Sequence, residues 1–162
     1  MTTMMNLPDP ATLEQARQQH IGRLLHRAAR AYNVLALDRL HAHGHTQLSL
    51  AHTNLLPHLD TQGTRIVTLA ERAGMTKQAA GQLVAELEAE GYVERHPDPE
   101  DRRATRVQFT QKGWRYLLDA QQVKRTIEDD YRTQLGDPLW THLNTALHTL
   151  LREHTPPAES TT

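Results

Sequence analysis

Three groups of side chains in this chain are able to do specific chemistry, and the first lies on one face of a helix. Between Thr76 and Ala89, the residues Ala80, Leu83, Val84 and Leu87 recur at the i, i+3, i+4, i+7 spacing of a buried stripe. Lys77, Gln78, Gly81, Gln82 and Ala85 fall together on the opposite side, a surface of hydrogen-bonding groups and very small residues that fits a groove. Thr76 and Lys77, at the start of this helix, suit phosphate oxygens; the amides of Gln78 and Gln82 can each pair with an adenine edge through two bonds. Gly81 permits close backbone approach, or simply relieves crowding against a neighbouring helix. Any solvated helix also shows a polar face, so this pattern does not decide alone.

The second group is cationic. Arg102 and Arg103 follow the turn residues Pro97-Asp98-Pro99-Glu100-Asp101, and Arg106 stands in the alternating run from Thr105 to Phe109. A guanidinium at a hairpin tip can enter a minor groove, where the potential is most negative, and Arg103 is the first choice for that role. Arg102 and Arg106 suit phosphate, although Arg106 on a strand is as readily explained as a solvated residue.

The third group is histidine. His41 and His45 are four residues apart with Asp38 nearby, the spacing of a two-histidine metal site. A third ligand is not assured, and His41, His43 and His45 beside Gly44 read equally as a polar loop. Nothing points to catalysis or to a cofactor: there are two serines, Ser49 and Ser160, no cysteine, no phosphate-cradling glycine loop and no framed carboxylate pair. The lack of cysteine also rules out disulfides and thiolate switches.

These groups need elements to position them, and 162 residues suffice for one domain with a proper core. Residues 1 to about 10 have no period and contain two prolines, which predicts a flexible lead-in over 1–11. Thr12 then opens a long helix running to a break at Gly44, with an apolar band (Ile21, Leu24, Leu25, Ala28, Tyr32, Leu35, Leu40) too wide for one small core. Ser49 to Leu59 predicts a helix despite Pro57, kinked or ended near Asn54 to Leu56. Arg65-Ile66-Val67 reads as a short strand able to join a hairpin sheet, and Thr68 as the N-cap of a small helix, Leu69 to Ala73.

Thr76 caps the polar-faced helix and Gly91 closes it, after which Tyr92 to Arg95 and Thr105 to Phe109 form the hairpin. Thr110 can cap a second long helix, Lys112 to Leu135, stopped by Gly136-Asp137-Pro138. A last helix runs to about Arg152, with Leu139, Trp140, Leu143, Leu147, Leu150 and Leu151 inward, before a polar tail over 154–162. Long flanking helices with surplus apolar faces predict pairing across a twofold axis, a homodimer.

Net charge is −1, so any nucleic-acid role depends on distribution. Residues 61–116 hold nine Lys/Arg and eight Asp/Glu, with Lys77 and the three loop arginines at one end and Glu86, Glu88, Glu90 and Glu94 at the other. No run of apolar residues is long enough to span a bilayer and Met1 to Asn6 lacks a secretion signal, which leads to the expectation of a cytoplasmic protein with no membrane partner.

The order helix, glycine turn, helix, strand, proline-acid-arginine tip, strand resembles the winged helix-turn-helix of the MarR family of transcription regulators. The resemblance covers about Arg65 to Gly113: Thr68 to Gly74 is similar to the first DNA-contacting helix and its turn, and Asp101, Arg103 and Phe109-Thr110 match the wing motif, with Phe where the family usually has Leu. It implies a mainly α fold with a small antiparallel wing, in which 46–113 binds DNA and 12–45 and 114–153 form the dimer. It implies that Asp101 orients Arg103, that a homodimer binds palindromic double-stranded operators as a repressor, and that a small-molecule effector relieves repression from a cleft near Tyr32, Asn33, His52 and Trp114. A metal-responsive regulator using His41 and His45, or a winged helix that binds protein instead of DNA, are the alternatives.

Overall fold

The computed structural model describes residues 9–101 and 103–154. The expected flexible lead-in and tail therefore fall largely outside the described residues, as does Arg102. Among the described residues, seven α-helices and three short strands follow in the order α1 (Pro10–Gln19), α2 (Ile21–Ala42), α3 (Leu50–Leu55), β1 (Thr64–Arg65), α4 (Ile66–Arg72), α5 (Lys77–Ala89), β2 (Val93–Pro97), β3 (Thr105–Phe109), α6 (Gln111–Leu135) and α7 (Asp137–His154). The mainly helical class with a small antiparallel sheet is as the sequence predicts. Two compact units divide within α6, between Asp119 and Ala120.

In the first unit, the long helix expected from Thr12 is two helices. The chain turns extended at His20, whose carbonyl accepts from Arg23 and Leu24 as α2 restarts, and Gly22 weakens helix at that point. Ser49 opens α3 with a reciprocal cap: its hydroxyl accepts from His52 N–H, and His52 Nδ1 accepts from Ser49 N–H. The helix ends at Leu55 and tightens into a single 3₁₀ turn, Leu56–His58, which admits Pro57.

The short strand and small helix lie earlier than the sequence suggests. β1 is Thr64–Arg65, and Ile66 and Val67 already belong to α4, so Thr68 lies inside that helix and caps nothing. Antiparallel pairing with β3 covers only these two residues, Thr64 facing Val107 and Arg65 facing Arg106, and the chain enters α4, which packs on α5, at Ile66. In the sheet order β1-β3-β2, the wing strand β2 is at an edge, where Pro97 removes no needed ladder bond.

The core forms where α3, α4 and α5 meet the sheet. Ala80, Val84 and Leu87 of α5 are fully buried with Leu55, Leu56, Leu69, Val93 and Val107, and Leu83 is half-buried. Each large side chain so buried contributes about 1.5–3 kcal/mol. α5 ends with Gly91 at φ +74°, and the chain passes into β2 at the buried Tyr92.

The wing returns to the core at one crowded junction. Thr110 Oγ1 donates to the Gly91 carbonyl at 2.6 Å and accepts from Gly113 N–H at 3.1 Å, capping α6, while Lys112 Nζ reaches the Glu90 carbonyl at 2.6 Å. A Cβ on Gly113 would overlap the Tyr92 carbonyl oxygen and the Phe109 ring. In the second unit, Gly136 at φ +76° ends α6 and Pro138 occupies the first turn of α7. The leucines of α7 expected to face inward do not: Leu139, Leu143, Leu147, Leu150 and Leu151 are exposed in the single chain, because α7 has more apolar face than its own unit covers. No described helix is long and apolar enough to cross a membrane.

Gly113→Ala is expected to lower stability by about 1–3 kcal/mol through this overlap, read as a shift in the urea midpoint with an unchanged slope.

Candidate nucleic-acid interface

α5 presents the face that the sequence singles out. Lys77, Gln78, Gln82 and Ala85 are exposed and Gly81 is half-buried, on the side away from the buried stripe. Thr76 Oγ1 accepts from Ala79 N–H at 3.1 Å as the N-cap, which leaves its O–H free to donate outward. Seven residues of α4, with the turn through Gly74 at φ +63°, set the angle at which α5 stands.

Arg95 ties the wing to this helix. Its guanidinium donates to the Gly81 carbonyl at 3.2 Å and lies 3.3 Å from the Glu88 carboxylate, so β2 and α5 are cross-braced beside the polar face. Sequence reasoning overlooked Arg95, whose role depends on a partner 14 residues away.

The wing tip is organised by a residue the sequence marked only as a turn former. Asp98 is completely buried; its carboxylate accepts from Arg65 Nε at 2.6 Å, from Glu100 N–H at 2.8 Å and from Arg106 Nη2 at 3.4 Å. The Arg65 hydrogen bond first, and then the Glu100 amide, hold the Asp98 carboxyl well below the usual carboxylate range; burial opposes them and loses. Reciprocally, Asp98 raises the Arg65 guanidinium above its ordinary value. Asp98 N–H donates to the Ala104 carbonyl at 2.9 Å, closing the loop whose outer residues include Arg103.

Arg103 is exposed at that tip and makes no ion pair among the described residues. Asp101 orders it through the backbone: the Asp101 carboxylate accepts from Arg103 N–H at 3.0 Å, rather than gripping the guanidinium. Arg106 is half-buried and turned inward onto Asp98, which corrects the expectation that it lies out on a phosphate or in solvent. The physical reason is the cost of a buried carboxylate without cations beside it.

The histidines are engaged elsewhere. His41 Nε2 meets the Leu48 carbonyl at 2.8 Å, and buried His45 uses both ring nitrogens, Nδ1 with Tyr92 Oη and Nε2 with Asp119, each at 3.0 Å. These contacts contradict the His41/His45 metal pair, since the two rings serve different partners, and no three-residue donor cluster occurs among the described residues. The rings of His45, Tyr92 and Tyr116 pack edge to face or tilted, and burial pushes the Tyr116 hydroxyl up to about 12.

Three of the proposed effector residues are engaged in separate places. Asn33 reaches Asn54 at 3.5 Å, Trp114 lies exposed against the Phe109 ring, and His52 is buried in the α3 cap with Nε2 on Glu86 at 2.9 Å. His52 therefore belongs to the framework of α3 and α5, because both its nitrogens are spent there. Tyr32 is half-buried on α2. A hollow of about 510 Å³ in the second unit is lined by Arg132, Trp140, Asn144 and His148 among others, and by none of the four.

Comparison with known proteins places this geometry. The MarR family model matches residues 46–104, which hold α3 to the wing tip. CouR, a transcriptional repressor solved bound to a 23-mer DNA duplex, is 26% identical; the match covers 82% of this chain and 93% of that one, with a TM-score of 0.67. Residues 46–104 thus match the MarR family, and the chain shares the winged-helix fold of these regulators.

Two further relatives agree in fold. BldR of Sulfolobus solfataricus is 25% identical over 90% of this chain and 99% of its own, with a TM-score of 0.60. Wild-type MarR from E. coli in its apo form is 21% identical over 82% and 96%, with a TM-score of 0.70. No curated protein matches this chain.

Ionised Asp98 is the form its partners stabilise. Its contribution is whole above the ordinary aspartate pKa of about 4 and fades as pH falls toward the lower folded value. Thermal midpoints measured down through that range should fall steeply for the wild type and less steeply for Asp98→Asn, which starts lower at neutral pH.

Proposed function

We propose that this protein is a sequence-specific DNA-binding transcriptional regulator that acts as a homodimer on palindromic operators, as a repressor. The observation that carries this reading is one winged unit exposing both the polar face of α5 and the Arg103 tip, cross-braced by Arg95 and Asp98. Gln78 and Gln82 read base edges in the major groove, Thr76 and Lys77 take phosphates with Gly81 allowing close approach, and Arg103 enters the minor groove. Arg102, adjacent in sequence, takes phosphate, and Asp101 sets the backbone that carries Arg103. The match of residues 46–104 to the MarR family and the DNA-bound CouR structure support the choice of duplex DNA as partner.

Dimerisation is supported by uncovered apolar surface. Ile21, Leu24, Leu25 and Val34 on α2 and the leucines of α7 are exposed in the single chain, more than a solitary regulator would leave in water. Two copies then present two α5 helices about 34–36 Å apart, one turn of duplex, and so prefer inverted repeats. Such a regulator works on the chromosome, in the cytoplasm.

Relief by a small-molecule effector is the family-based part of this proposal. An effector that favours one spacing of the two α5 helices couples to DNA affinity by about 1–3 kcal/mol. Tyr32, Asn33 and Trp114 remain its candidate contacts, with His52 removed from the set.

Selection of bound duplexes from a random pool tests the reading: a palindromic consensus is expected, and no enrichment would overturn it. Affinity for the selected duplex should fall steeply with added salt, as phosphate neutralisation requires, and a protein-binding winged helix would show no such slope. Arg103→Ala is expected to weaken binding by about 1–3 kcal/mol with the dimer intact, measured by fluorescence anisotropy and sedimentation. Gln82→Ala should relax base preference more than it weakens overall affinity.

A further inference from the structure

A chain of three side chains runs from the α3 cap to the outer face of α5. Ser49 N–H donates to His52 Nδ1 at 3.2 Å, so that nitrogen must carry a lone pair and the ring proton must sit on Nε2. Nε2 lies 2.9 Å from Glu86 Oε2, an acceptor, as this tautomer requires. The other oxygen of the same carboxylate, Oε1, accepts from Gln82 Nε2 at 3.3 Å. Each link joins a group that can only donate to one that can only accept, so the tautomer of His52 and the flip of the Gln82 amide are both fixed.

That flip has a consequence for recognition. A primary amide carries one N–H on the same edge as its carbonyl and one pointing away. Reading adenine uses the first edge, the carbonyl accepting from N6–H and the neighbouring N–H donating to N7. When Glu86 takes the N–H that points away, the adenine-reading edge is the one left open. His52 is buried, and Glu86 is half exposed at the margin of the polar face.

We propose that His52 and Glu86 are positioning residues that hold the Gln82 amide with its adenine-reading edge toward the base pairs, and so set sequence preference at the position Gln82 meets. The inference rests on the reading of α5 as the base-reading helix. Glu86 does not itself touch the duplex; it acts through Gln82. His52 holds Glu86 in turn, and its other nitrogen is locked by the cap of α3, so the preference is anchored in a second helix.

The test uses the full chain, the duplex selected from a random pool, and every single-base-pair variant of that duplex. Glu86→Ala is expected to reduce discrimination at one base-pair position by about three- to tenfold, with the other positions unchanged. Removing the Glu86 charge strengthens binding to all duplexes alike and cancels in that ratio. In a Gln82→Ala background, Glu86→Ala should change the ratio no further, which a merely structural role would not produce. His52→Gln, whose amide N–H can replace Nε2–H but which places no acceptor where Nδ1 meets Ser49 N–H, should keep the preference while lowering the thermal midpoint.

A folded Glu86→Ala protein with wild-type discrimination at every position overturns the positioning role and leaves the DNA reading standing. So does a loss that persists undiminished when residue 82 is alanine. A wild type that prefers no sequence removes both.

Discussion

The geometry of the wing depends on one buried carboxylate. Asp98 is taken out of water entirely, and such a charge is tolerable only because Arg65, Arg106 and the Glu100 amide converge on it. Those partners come from the junction of β1 and α4, from β3 and from the tip itself, so satisfying the charge fixes the hairpin against the helical part of the unit. Arg103 is carried at the end of an arm whose base is electrostatically pinned. The exposed arginine is free to meet a partner because the inward arginines are already committed.

A similar division of labour appears on α5. Its apolar stripe is packed into the core, and its flanks are tied by polar contacts, Arg95 to the Gly81 carbonyl on one side and His52 to Glu86 on the other. Few of the helix's side chains are left unconstrained. Lys77, Gln78 and Gln82 project from a support whose orientation is set by neighbours in sequence and by elements far away, as the proposed base reading requires.

Apolar surface is distributed unevenly. From α3 to β3 most leucines and valines are buried, Val67 excepted, whereas the leucines of α7 and Ile21, Leu24, Leu25 and Val34 of α2 are left in water. Surplus of that kind costs solubility unless it is covered, which is the ground on which the homodimer is proposed. The buried His45, Tyr92 and Asp119 contacts link the end of α2 to the wing junction and the start of α6 within the first unit.

Local signals in the sequence determined a good deal. The stripe Ala80, Val84, Leu87, the cap at Thr76, the glycine at 91 and the alternating run to Phe109 each depend on residues within a turn or two, and the structure has them where spacing puts them. The same signals missed what distant partners decide: that Asp98 is a buried anchor, that Arg106 turns inward, that His52 and His45 serve as framework, and that the residues pairing with β3 are Thr64 and Arg65. Side-chain type and period report what a residue can do. Which partner it finds across 33 or 74 positions is settled only when the chain closes on itself, because the energy of a buried charge or ring nitrogen lies in a contact that neither residue's neighbours contain.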